Sequence, residues 1–126
     1  MLGDFDAHAT IAVRDLDAAA AFYEGVLGFA RDELQQPGSV RYRSGRTIVF
    51  VYVSQYAGTN RATAVTWNVE DVDALVRELA AKGARFEHYD DLPETHREGD
   101  VHVAGDLRLA WLTDPDGNVL ALAGRG

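Results

Sequence analysis

The side chains able to do chemistry in this 126-residue chain are few and scattered. There are four histidines, His8, His88, His96 and His102, and no cysteine. The absence of cysteine removes thiolate nucleophiles, thiolate metal sites and disulfides together. His8 heads an apolar stretch, H-A-T-I-A-V-R, where an imidazole could give or take a proton beside Thr10, Thr66 or Asn68. Nothing in the chain resembles a nucleophile, base and orienting carboxylate in sequence, so His8 is the only candidate catalytic residue. The other three histidines and Asp100 lie in or beside a polar stretch at 90–100. Their spacing matches no metal motif, and they read as solvated loop residues.

The elements that must position these groups follow from periodicity. Residues 8 to 14 read as a strand. Asp15 then caps a helix from Leu16 to about Leu27, with Leu16, Ala19, Ala20, Tyr23, Val26 and Leu27 on one stripe. Gly28 ends it. Extended segments follow at 29–34, 40–43 and 47–54, the last two joined at Ser44-Gly45-Arg46. Residues 55–63, Q-Y-A-G-T-N-R-A-T, form a polar linker. Residues 64–69 begin the pattern again, Asp71 caps a second helix with Val72, Leu75, Val76 and Leu79 inward, and Gly83 closes it. Residues 85–89 are extended, 90–100 is a loop, and 101–103 is a short extended piece. A hairpin closes the chain, W-L-T-D-P-D-G-N-V-L-A-L-A from Trp111 to Ala123, its turn chemistry supplied by Asp114, Pro115, Asp116 and Gly117.

Val13-Arg14-Asp15-Leu16-Asp17-Ala18 matches Val69-Glu70-Asp71-Val72-Asp73-Ala74 at a constant offset of 56, with four of six residues identical. The chain is therefore a duplicated α+β module, about 7–54 and about 64–123, within a single domain spanning 1–126. Hydrophobic residues make up 47% and charged residues 25%, a globular balance. The net charge of −8 comes without a lysine or arginine cluster, which argues against a nucleic-acid partner. No apolar run is long enough to span a bilayer, and the acidic start, Met1 to Asp6, lacks the pattern of a signal peptide. A cytoplasmic protein with no membrane partner is the expectation.

Several motifs together resemble the vicinal oxygen chelate superfamily of glyoxalase I, bleomycin-resistance proteins and extradiol dioxygenases. They are His8 to Leu16, F-Y-E-G-V-L-G-F at 22–29, V-E-D-V-D-A at 69–74, A-K-G-A at 81–84 and D-P-D-G-N at 114–118. The resemblance implies two βαβββ modules whose curved mixed sheets enclose a cleft, an outer helix on each module and, commonly, a homodimer. Metal enzymes of this superfamily take one ligand from the first and last strand of each module, and the ion acts as Lewis acid or activates dioxygen. His8 matches the first position. The second falls on Ala64 and the last-strand position on Ala121, neither with a ligand atom. The fourth lies in Thr47 to Ser54, where counting gives Val49 or Tyr52, and that strand has no Asp, Glu or His. One imidazole from four positions does not hold a catalytic ion, so no metal or other cofactor is expected.

Alternation places His8, Thr10 and Ala12, and Ala64, Thr66 and Asn68, on the cleft faces of the two first strands, with Ile11, Val13, Val65, Trp67 and Val69 beneath the helices. In the fourth strand either Phe50 and Tyr52 or Val49, Val51 and Val53 face inward. The aromatic choice is favoured because it leaves β-branched residues to pack under the helix. Trp111, Tyr42 and Phe86 are further aromatic candidates, though each residue type is commoner in a core. The implied ligand site comprises His8, Thr10, Phe50, Tyr52, Thr66, Asn68 and Trp111. Its neutral and aromatic walls suit a small molecule, and the acidic surroundings suit a cationic one. The resulting expectation is a binder of a small aromatic or cationic molecule such as an antibiotic. The alternative is a lyase, isomerase or dioxygenase with a non-standard metal site.

Overall fold

The computed structural model describes all residues, Met1–Gly126. After a short 3₁₀ turn, Leu2–Asp4, the chain runs β1 (Ala9–Val13), α1 (Leu16–Ala20), a π-helical turn (Ala21–Val26), β2 (Ala30–Arg31), β3 (Ser39–Ser44) and β4 (Thr47–Val53). It continues with β5 (Thr63–Asn68), α2 (Val72–Ala81), β6 (Arg85–Glu87), β7 (His96–Glu98), β8 (Val101–Ala104), β9 (Leu107–Thr113) and β10 (Val119–Arg125). The fold is α+β and consists of two compact units. One holds Met1–Asn60 with Pro115–Asn118, the other Arg61–Asp114 with Val119–Gly126.

The first unit is a mixed sheet in the order β1-β4-β3-β2, with β1 and β4 parallel. Ile11, Val13, Val40, Tyr42, Val49 and Val51 are buried on one face, and α1 lies against β4. The Asp15 carboxylate accepts the N–H groups of Asp17 and Ala18 at 2.8 and 3.3 Å, satisfying donors that the first helical turn leaves unpaired. The helix then widens: the Leu27 N–H bonds the Phe22 carbonyl five residues back at 3.0 Å. Phe22 and Tyr23 are both buried there, and Tyr23 stacks near Phe29 and Tyr42. The Tyr42 hydroxyl donates to Glu24 at 2.8 Å, and that bond, with Arg31 at 3.0 Å, holds the Glu24 carboxyl below its usual range. Tyr42 is thus a core residue whose polar tip is satisfied.

Pro115–Asn118, the rest of the D-P-D-G-N turn after Asp114, belong with the first unit. The Asn118 amide donates to the Ala12 carbonyl at 2.8 Å, and Asp116 accepts the Arg14 N–H at 3.3 Å. Gly58, at φ 69°, lies so close to the Asp116 carbonyl that a Cβ would overlap it. Only glycine combines that left-handed backbone with that approach.

The second unit is a mixed sheet in the order β5-β10-β9-β8-β7, with β5 and β10 parallel. β6 shares the β9 edge with β8, pairing Arg85 to Glu87 with Thr113 to Trp111. Asp71 caps α2 by accepting the Ala74 N–H at 3.0 Å, the same device at the same offset as Asp15. Val72, Val76 and Leu79 pack this helix against β8, β9 and β10. Arg108 binds Asp73 through two bonds, 2.7 and 3.0 Å, and Glu98 at 3.0 Å, tying the helix to the sheet.

The stretch at 90–100 departs from the expectation of a plain loop, because His96–Glu98 forms β7 against β8. H-R-E carries no apolar alternation, and as an edge strand it needs none. Its charges suit a strand whose outer side meets water.

Candidate functional site

In the first unit, register decides which side chains share the face opposite the core. Thr10 pairs with Phe50 and Ala12 with Tyr52 on the β1–β4 ladder. On the other flank Phe50 pairs with Arg41 and Tyr52 with Ser39. Val49 and Val51 are buried, so Phe50 and Tyr52 occupy the open face, rings stacked at 6.0 Å and 15°. Tyr52 is 36% exposed, a large aromatic surface left uncovered beside its partner. Thr10 is exposed on the same face. His8 lies just before β1, exposed, and its imidazole makes no bond to another side chain; only its carbonyl accepts the Thr10 hydroxyl at 3.5 Å. No base–nucleophile pair forms around it.

Arg41 was not singled out by sequence reading. A lone arginine in a strand carries no signal until the register sets it beside Phe50. Its backbone is fixed by Gln35, whose side chain accepts the Arg41 N–H at 3.1 Å and donates to its carbonyl at 3.0 Å. The same loop brings the Asp32 carboxylate to 3.5 Å from Nε, beyond a well-formed hydrogen bond.

In the second unit, Thr66 and Asn68 on β5 are exposed and pair with Ala121 and Ala123 of β10. Ala121 in turn opposes Trp111. The Trp111 indole N–H reaches Thr63 at 3.2 Å, crossing the row in which Ala121 sits 3% exposed. An alanine at 121 leaves room for that indole.

Trp111 also belongs to a three-ring cluster. It meets His102 edge to face at 4.8 Å and Tyr89 at 5.0 Å, and Tyr89 lies 5.9 Å from His102. His102 is fully buried, which corrects the expectation of a solvated loop histidine. The sequence V-H-V alternates a polar residue between valines, and β8 turns it onto the face shared by Leu109 rather than out to water. Its Nε2 accepts the Tyr89 N–H at 2.9 Å, so the proton resides on Nδ1. Burial holds the imidazole below its ordinary pKa, with Arg97 and His88 adding to the effect. His88 pairs with Asp100 at 2.7 Å and His96 with Glu98 at 3.1 Å. These are separate surface contacts, not one ligand set.

The donor set does not fit a divalent ion at the implied positions. Thr66 of the second unit is Thr10 of the first at the offset of 56, and Thr66 pairs with Ala121 while Thr10 pairs with Phe50. The counterpart of Ala121 is therefore Phe50, not Val49 or Tyr52, because counting from turns misses the bulge between Val119 and Leu120. Across the chain no three His, Asp or Glu side chains come together in a way that could hold a metal. A cavity of about 310 Å³ lies at the α2 N-terminus, lined by Glu70, Asp71, Asp73, Arg108 and Arg125 among others. Arg108 is already paired there and Arg125 bonds Asp106 at 2.8 Å, so it reads as a structural ion-pair cluster. None of the site residues expected from the sequence lines it.

No curated protein matches this chain in sequence. Among solved structures, fosfomycin resistance protein FosX from Listeria monocytogenes superposes with a TM-score of 0.71 at 13% identity, covering 97% of this chain and 93% of that one. A glyoxalase/bleomycin resistance protein from Catenulispora acidiphila gives 0.69 at 22% identity, covering 97% and 99%. TnmS3, an antibiotic binding protein from Streptomyces sp. CB03234, gives 0.64 at 21% identity, covering 97% and 98%. These likenesses establish the fold. The family profile named Glyoxalase/Bleomycin resistance protein/Dioxygenase superfamily matches residues 7–122, and to that superfamily the chain belongs.

Proposed function

We propose that this protein binds a small aromatic molecule, of the antibiotic-sequestering kind, without a metal held by the protein and without turnover. The observation that carries the reading is the stacked pair of half-buried Phe50 and exposed Tyr52, on the sheet face opposite the core. Uncovered aromatic surface is costly in water and gains from a flat partner, about 0.5–1.5 kcal/mol per ring contact beyond area burial. Thr10 supplies a hydroxyl at the same row. Trp111, Thr66 and Asn68 offer a second aromatic and polar set on the other unit, with Trp111 held by Thr63. Antibiotic binding and fosfomycin resistance among proteins of the same fold support the ligand class. His8 has no partner with which to run proton transfer, and the donor set around Ala64, Ala121 and Phe50 offers a catalytic ion nothing to bind.

A homodimer in the cytoplasm is part of the same proposal. No helix is long and apolar enough to cross a membrane.

The test is metal analysis of protein purified without a metal-binding tag, followed by a thermal-shift screen of planar aromatic compounds. The expected result is no stoichiometric metal, before or after incubation with divalent ions, and a raised melting temperature with some ring systems. Near one metal per chain, lost together with an activity in His8→Ala, would replace this reading with that of a lyase, isomerase or dioxygenase.

A further inference from the structure

We infer that the aromatic ligand of the Phe50–Tyr52 face carries an anionic oxygen, such as a carboxylate, and that Arg41 recognises it. The inference rests on the proposed binding function and names the chemistry of its ligand.

Arg41 is the direct cross-strand neighbour of Phe50. Such neighbours hold their Cβ atoms about 5 Å apart, so a ring lying on Phe50 brings its substituents to the guanidinium. The side chain is 29% exposed, which leaves it half-sheltered yet reachable. Its protein partners do not use it up. Asp32 approaches Nε at 3.5 Å without a hydrogen bond, while Nη1 and Nη2 bond to no protein group. A planar fork with two free donors is matched by a carboxylate, which can accept from both.

The local charge points the same way. The β3–β4 hairpin, residues 39–53, holds Arg41, Arg43 and Arg46 and no Asp or Glu, in a chain whose net charge is −8. Arg43 follows Arg41 by two positions, hence on the same face, and forms no ion pair. The acidic balance of the whole chain suggested a cationic ligand; the hairpin that bears the aromatic pair carries three arginines, and Asp32 beside Arg41 offsets one of them. Fields at a site follow the nearest charges, because those beyond about 8–10 Å are screened at physiological salt.

The experiment compares three probes with one ring system: 2-naphthoate, naphthalene-2-carboxamide and 2-(aminomethyl)naphthalene. Their affinities are measured by NMR titration of the full chain, following Phe50 and Tyr52 resonances. The expected order is anion, then neutral, then cation, with naphthoate about tenfold tighter than the amide, as one charge-assisted bidentate contact provides. Arg41→Gln removes the preference, Arg41→Lys restores part of it, and Lys82→Gln, an equal change of net charge on the other unit, leaves it intact. Binding of all three probes at Phe50 and Tyr52 with no anion preference, or a preference unchanged in Arg41→Gln, overturns this inference alone. No shift of those resonances with any probe overturns the binding function as well.

Discussion

His102 makes a pH dependence that the fold itself imposes. In the native state the imidazole is fully buried, accepts the Tyr89 N–H at 2.9 Å, and packs against Trp111. Protonation puts a hydrogen on Nε2 facing that N–H and places a charge in the sheet beside Arg97 and His88; the Leu109 backbone and Asp90 favour the charged form, but burial outweighs them. The native pKa therefore lies below the ordinary value of 6.5. The unfolded chain then binds the extra proton first, so stability is full above about pH 6.5. It falls as the pH drops from there toward the native pKa. A single proton limits the slope to about 1.4 kcal/mol per pH unit. For a domain of this size that is a change in melting temperature of about 5 °C per unit. The carboxylates held low, Glu24 by Tyr42 and then Arg31, and Asp73, Asp90 and Glu98 by arginine, lose their contributions only at more acidic pH, leaving the window just below 6.5 to imidazoles. Urea unfolding between pH 5.5 and 7.5, read by Trp fluorescence, measures the slope in wild type and in His102→Gln, which keeps an acceptor near Tyr89 and cannot titrate. The difference between the two curves isolates His102 from His8, His88 and His96. Parallel curves across that range would show that His102 is not the group responsible.

Gly58→Ala forces a side chain into the Asp116 carbonyl from a left-handed backbone, and a loss of about 2 kcal/mol or more is expected in a denaturant titration. Asn118→Ala leaves the Ala12 carbonyl without its donor, a loss of about 1–3 kcal/mol by the same measurement. Tyr52→Ala removes an already exposed ring; calorimetry with 2-naphthoate should show weaker binding by up to about tenfold. Its melting temperature should stay close to that of wild type.

Much of the architecture was written in local chemistry. Asp15 and Asp71 cap their helices because a carboxylate at that position satisfies free N–H groups whatever surrounds it, and the repeat of 56 residues carried the same device twice. Alternation placed Ile11 and Val13 inward and Thr10 outward, since a strand's period of two is a property of the backbone. The superfamily was legible for the same reason: its motifs are caps and turns. What the sequence could not determine depends on pairing between strands distant in the chain. The bulge after Val119 moved the counterpart of Ala121 onto Phe50, and no count along one strand reveals a partner's bulge. His102 read as solvated because it follows the polar stretch at 90–100 and is itself polar, but pairing with β9 gives it a buried face. β7 was missed because its stability comes from β8 rather than from its own residues. Arg41 became a candidate only when two ladders set it beside an aromatic pair and the loop at Gln35 fixed its backbone. Propensity and capping act within a few residues; register and burial are settled by contacts between residues far apart in the chain, and those decided the site.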